Sequence, residues 1–106
     1  MSQFDVHRNR GRHGEMIPYV VVVQSTLYDG YRRRVVVPLV RSSVLGQMDS
    51  PRLNPLFEIE HVTVVLHPLE IVSVSHDQLG EFVVSLEAEG ERIAAALDEL
   101  LTRAWG

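Results

Sequence analysis

The side chains of this chain able to do chemistry are five histidines, ten arginines and one tryptophan. His7, His13, His61, His67 and His76 never fall three or four residues apart. That spacing would put two ligands on one helical face, and no short cluster of the metal-ligand type occurs either. His61 and His67 are expected at strand ends with satisfied ring nitrogens. Cysteine is absent, which removes thiolate metal and redox chemistry and any disulfide framework. There is no G-x-S-x-G nucleophile elbow, no Walker A loop and no dinucleotide glycine fingerprint. The sequence therefore predicts no catalytic residue, no metal and no cofactor.

Arg32-Arg33-Arg34 is the densest basic run. It either binds phosphate or, lying beside a turn, serves as exposed solubilising charge. Trp105 lies just beyond an amphipathic stretch. Tryptophan combines large apolar area with one N–H donor, so an exposed indole is a contact anchor. The alternatives are that Trp105 folds back onto the helix or that the tail frays.

Charge is distributed unevenly. Residues 1–53 hold eight arginines against four acids, and residues 54–106 hold two arginines against ten acids, giving +4 and −8. Every basic residue is arginine, whose fork pairs carboxylates and phosphates in ways that lysine does not. A pI near 5.7 argues against gripping nucleic acid unaided. It suits instead an acidic peptide on the arginine-rich half or a basic surface on the acidic half. No apolar run approaches the roughly 18 residues that span a bilayer, and Met1-Ser2-Gln3-Phe4 has no signal-peptide profile. The expectation is one cytoplasmic domain over residues 1–106, without membrane contact.

The elements that must position these residues are mostly strands. Phe4-Asp5-Val6 alternates as a short strand, and Arg8 to Glu15 reads as an exposed loop. Pro18 to Gln24 is β-branched without alternation, as in a strand buried on both faces. After the Asp29-Gly30 turn, Arg33 to Leu39 returns antiparallel and is expected to end or bulge at Pro38, which has no N–H to donate. Ser42 to Pro55 reads as a loop or short helical detour. Leu56–Ile59 and Val62–Leu66 carry apolar residues in opposite phase, which predicts a hairpin at Glu60-His61. Ile71 to Ser75 is another strand. Leu79, Phe82, Val83 and Leu86 fit a helical turn or an edge strand, and Gly90 separates them from the last element. There Ile93, Ala96, Leu97, Leu100, Leu101 and Ala104 form one apolar helical stripe. About six strands and a terminal helix make a small rolled or barrel-like sheet with a helix packed on it.

The order of these pieces resembles the CcdB family, the toxins of bacterial type II toxin–antitoxin pairs. The resemblance is carried by Ser2-Gln3-Phe4, Val22-Val23-Gln24-Ser25, Arg34-Val35-Val36-Val37-Pro38-Leu39, Val72-Ser73-Val74 and the Ile93 to Asp98 helix. It implies a mainly β fold with a C-terminal α-helix, an SH3-like barrel of the CcdB/Kid toxin type, assembled as a homodimer. It also implies binding to the A subunit of DNA gyrase and trapping of the gyrase–DNA cleavage complex. A CcdA-type antitoxin, through a disordered acidic segment, would neutralise the toxin and co-repress the operon with it, so that DNA is reached only through that complex.

Family toxicity depends on residues after the helix. Matching Trp105-Gly106 to the family's terminal Trp-Gly leaves the family's final isoleucine missing, whereas matching that helix without a gap places the family ending on Thr102-Arg103-Ala104, with Trp105-Gly106 as an extension. Thr102, Arg103, Trp105 and Gly106 are therefore gyrase-contact candidates, with Leu27 and Tyr28 where the family carries an apolar pair. Charge makes Arg8, Arg10 and Arg12 the antitoxin-contact candidates. Two alternatives stand beside the gyrase poison. One is a family member that binds antitoxin but has lost poisoning. The other is a Kid/MazF-like endoribonuclease drawing on His13 and Arg32 to Arg34.

Overall fold

The computed structural model describes residues 2–46 and 50–102. Among the described residues seven strands form where β-branched residues cluster: β1 (Asp5–Arg8), β2 (Tyr19–Val22), β3 (Arg33–Arg41), β4 (Leu56–Ile59), β5 (Val62–Leu66), β6 (Val72–Ser75) and β7 (Phe82–Ser85). Two α-helices join them among the described residues, the single turn α1 (Ser42–Leu45) and α2 (Gly90–Leu101), besides short 3-10 turns. All pairings are antiparallel, in the order β4-β5-β3-β2-β1-β7, with β6 attached to β3. The architecture is thus mainly β, a curled half-barrel sheet with a C-terminal helix. The ambiguous Phe82 to Ser85 segment resolves as a strand, which raises the count from about six to seven.

β3 is the spine. One edge pairs with β2 along Val36–Leu39, and the other is shared by β6, opposite Arg33–Val36, and β5, opposite Leu39–Arg41. The expectation that this strand ends or bulges at Pro38 is corrected, because β3 continues through it to Arg41. The reason is local. Val23 N–H donates to the Val35 carbonyl, so by alternation the Pro38 nitrogen faces away from β2. On that far edge Pro38 falls in the gap between the last β6 pair and the first β5 pair, where no ladder donor is needed. Its carbonyl still accepts from His67 N–H at 3.1 Å.

The β4–β5 hairpin closes on Ile59 opposite Val62. Glu60 and His61 both take left-handed backbone, with φ of 52° and 66°, as a two-residue loop of type I′ requires. A β-bulge between Val6 and His7 adds to the curl at the β1–β7 edge.

Both faces of the central strands are covered, as the unalternating β2 sequence predicts. Val21, Val37, Leu39, Val64 and Leu66 join Ile93 and Ala96 of α2 in the main core. Val22 and Val36 point the other way and pack with Leu79. The helical stripe is buried only in part. Ile93 and Ala96 are enclosed, but Leu101 is 70% exposed. Gly90 opens α2 because Phe4 lies against it: a Cβ there would sit 2.7 Å from the Phe4 ring.

Candidate functional site

The β1–β2 connection brings the loop arginines over the second, smaller apolar cluster. Val20 of β2, Val36 and Pro38 of β3, and Val72 and Val74 of β6 form the floor of a groove of about 540 Å³. Arg8, Arg10 and Arg12 stand on its rim, with Asp77 and Gln78 among the other lining residues. The sequence points to the arginines. It carries no sign of the apolar floor, because those strands are far apart in the chain. An apolar floor under guanidinium donors matches an amphipathic acidic segment.

The three arginines are not equivalent. Arg8 closes β1 and is bound bidentately by Glu60, Nη1 to Oε1 at 3.0 Å and Nη2 to Oε2 at 2.8 Å. Tyr19, buried in the core, donates its hydroxyl to the same Glu60 at 2.5 Å. The Arg8 hydrogen bonds, then that of Tyr19, hold the Glu60 carboxyl below the ordinary carboxylate range. Desolvation, reinforced by Glu60, pushes the Tyr19 phenol up. Neither Arg10 nor Arg12 forms an ion pair among the described residues, which leaves them as the available cations of the rim.

A second surface lies in the β2–β3 connection. Ser25 caps a 3-10 turn over Thr26–Tyr28 by accepting from Leu27 N–H. Leu27 is 81% exposed, Tyr28 49% and Tyr31 66%. Arg34 explains how so apolar a loop keeps its shape. The expectation of exposed charge over Arg32 to Arg34 is corrected for Arg34, which is 5% exposed. Its Nη1 donates to the carbonyls of Tyr31 and Arg33, at 2.5 and 3.0 Å, and its Nη2 to that of Asp29 at 2.6 Å. Charge-assisted bonds to loop carbonyls restrain the turn from below. Arg33 is tied to β6 through Ser73.

The other candidates are placed as follows. Thr102 follows α2 and its hydroxyl bonds the Asp98 carbonyl and carboxylate. Arg103, Trp105 and Gly106 lie outside the described residues. His13 does not line the surface recess that Arg33 borders with Tyr28 and Tyr31. His67 departs from expectation, since its Nδ1 is buried with no hydrogen-bond partner among those residues. The buried His7 places its Nδ1 3.0 Å from the Gly80 carbonyl. No group of three or more potential metal ligands occurs among the described residues, and none of their helices is long and apolar enough to cross a membrane. Tyr31 is the surface residue that sequence reasoning misses. Its signal is an aromatic between glycine and arginines, where no core can form.

Among protein-family models, the one described as CcdB protein matches residues 3–103. No curated protein matches the chain.

Proposed function

Because the chain belongs to the CcdB family of toxin–antitoxin toxins, we propose that it binds the A subunit of DNA gyrase and traps the enzyme on cleaved DNA. The observation that carries this reading is the exposure of Leu27 and Tyr28 side by side, on a loop whose Asp29 and Tyr31 carbonyls are bound by buried Arg34. Large apolar side chains on a braced backbone lose less entropy on docking than the same side chains on a free loop, which makes them effective anchors. Thr102, Arg103, Trp105 and Gly106 extend the contact, as family resemblance implies. A homodimer would present two such faces to a two-fold target. Poisoning of this kind needs no bond-making group. It requires only that the toxin bind the cleaved state of gyrase better than the others, so that differential affinity shifts the population.

The groove beneath Arg10 and Arg12 takes a CcdA-type antitoxin. Its disordered acidic segment folds as it sets apolar residues on the valine floor and carboxylates on the rim. Arg8, already held by Glu60, borders the same groove. DNA contact, and with it co-repression of the operon, belongs to the antitoxin in the joint complex.

Expression in cells with sensitive gyrase should arrest growth and accumulate cleaved DNA, with arrest relieved by Trp105→Ala or by coexpressed antitoxin. Antitoxin binding without arrest would point to a member that has lost poisoning. Fragmented RNA from purified protein would replace the gyrase reading with ribonuclease activity.

A further inference from the structure

Beside Leu27 and Tyr28 the same loop builds a recess. The Tyr28 and Tyr31 rings meet edge to face, with centroids 5.8 Å apart and planes at 68°. With Gln24 and Arg33 they border a shallow, open recess of about 330 Å³. We propose that this recess receives a carboxylate-bearing side chain from the gyrase partner, with Tyr31 as a further anchor of the docking face. The inference rests on the proposal that the chain binds gyrase, and it names the chemistry that target must present.

The polar groups of the recess decide the sign of the ligand. Gln24 is satisfied within the protein: its Nε2 donates to the Tyr28 carbonyl and its Oε1 accepts from Val35 N–H, each at 3.1 Å. It is a wall, not a reader. Arg33 donates Nε and Nη2 to the Ser73 hydroxyl and carbonyl, at 3.0 and 2.6 Å. Its Nη1 has no hydrogen bond among the described residues. Among those residues no acid lines the recess. The loop's own Asp29 accepts from the Ser2 hydroxyl instead, at 2.8 Å. A guanidinium whose planar fork is fixed by two bonds, next to aromatic ring edges that are themselves electropositive, suits an anion.

The walls decide what carries that anion. Two phenol rings offer apolar area to a carbon stem, which a free phosphate lacks and a glutamate or aspartate side chain supplies. A nucleic acid would also place its backbone near Arg33, but gripping a polyanion takes a row of cations, and among the described residues Arg33 is the one cation lining the recess. Arg34 restrains the Tyr31 and Asp29 carbonyls, so the recess is largely formed before a partner arrives.

The test compares the intact protein with Tyr31→Ala, Tyr31→Phe and Arg33→Gln for binding to the immobilised A subunit of gyrase across a salt series. A labelled single-stranded oligonucleotide and an antitoxin peptide run in parallel. Tyr31→Ala and Arg33→Gln should each weaken gyrase binding at least tenfold, Tyr31→Phe should stay within about twofold, and Arg33→Gln should flatten the salt dependence. Arg33 also ties β3 to β6, so the deciding variant is Tyr31→Ala, a surface change expected to leave the thermal midpoint unaltered. Wild-type binding to gyrase that Tyr31→Ala leaves unchanged overturns the recess and spares the target. No wild-type binding to gyrase overturns both. Loss of oligonucleotide or antitoxin binding in Tyr31→Ala, with gyrase affinity intact, assigns the recess to another partner and overturns the inference.

Discussion

Glu60 holds a left-handed backbone position that favours glycine or asparagine. What recommends a carboxylate there is its reach. From the hairpin tip it accepts from Arg8 and from Tyr19, fixing the last residue of β1 against β4–β5. The direction of its titration is set by those bonds. Its folded pKa lies below its unfolded value of about 4.3, so on acidification the unfolded chain takes up the proton first. The stabilisation is complete above that value and is lost as pH falls through the folded pKa. Glu60→Gln should therefore flatten the fall in thermal midpoint between about pH 5 and pH 3. An identical acid slope in variant and wild type would show that the bridge contributes nothing to acid stability. Arg34 illustrates the same point at another residue: in sequence it reads as surface charge, in the fold it is an internal brace, and only the fold shows which carbonyls it serves.

At the scale of elements, the join between β1 and α2 depends on a glycine. Phe4 takes φ of 70° while its N–H donates to the Val22 carbonyl and its carbonyl accepts from Leu86 N–H. The ring is thereby laid across the first turn of α2, and a Cβ at Gly90 would meet it at 2.7 Å. Ala is the better helix former by about 1 kcal/mol, yet Gly90→Ala should destabilise by about 1–3 kcal/mol through this overpacking. Chemical denaturation would measure it, and a gain in stability would mean that Phe4 can move aside freely. Sequence periodicity reaches most elements, because a β-branched run, the phase switch at Glu60-His61 and the Ile93 stripe are local signals. It fails where the reason is non-local. Pro38 is harmless only because β6 stops and β5 starts opposite it, and β7 is a strand only because β1 lies beside it. The candidate site divides in the same way. Arg8, Arg10 and Arg12 announce themselves, whereas their valine floor comes from three separate strands.

Across the whole molecule, folding brings the two oppositely charged halves together. Arg8 meets Glu60, and Arg52 approaches Asp98 at 3.9 Å and Glu99 at 3.3 Å. These pairs consume part of the arginine excess, and they determine which cations are left for a partner. Arg10 and Arg12 remain over the groove, while Leu27, Tyr28 and Tyr31 stand on a different loop and line none of it. Two surfaces built from separate residues should be separable by mutation. In Arg10→Glu/Arg12→Glu the rim charge reverses while the Arg34 brace and the β2–β3 loop are untouched. Affinity for an acidic antitoxin segment should fall at least tenfold, more at low salt than at high, since exposed charges are screened over about 8–10 Å. Growth arrest on expression should persist, and coexpressed antitoxin should no longer relieve it. Calorimetric titration of the antitoxin peptide beside growth assays provides both readouts. If the double variant loses toxicity along with antitoxin binding, the two surfaces act as one, and the division of labour between groove and loop is wrong.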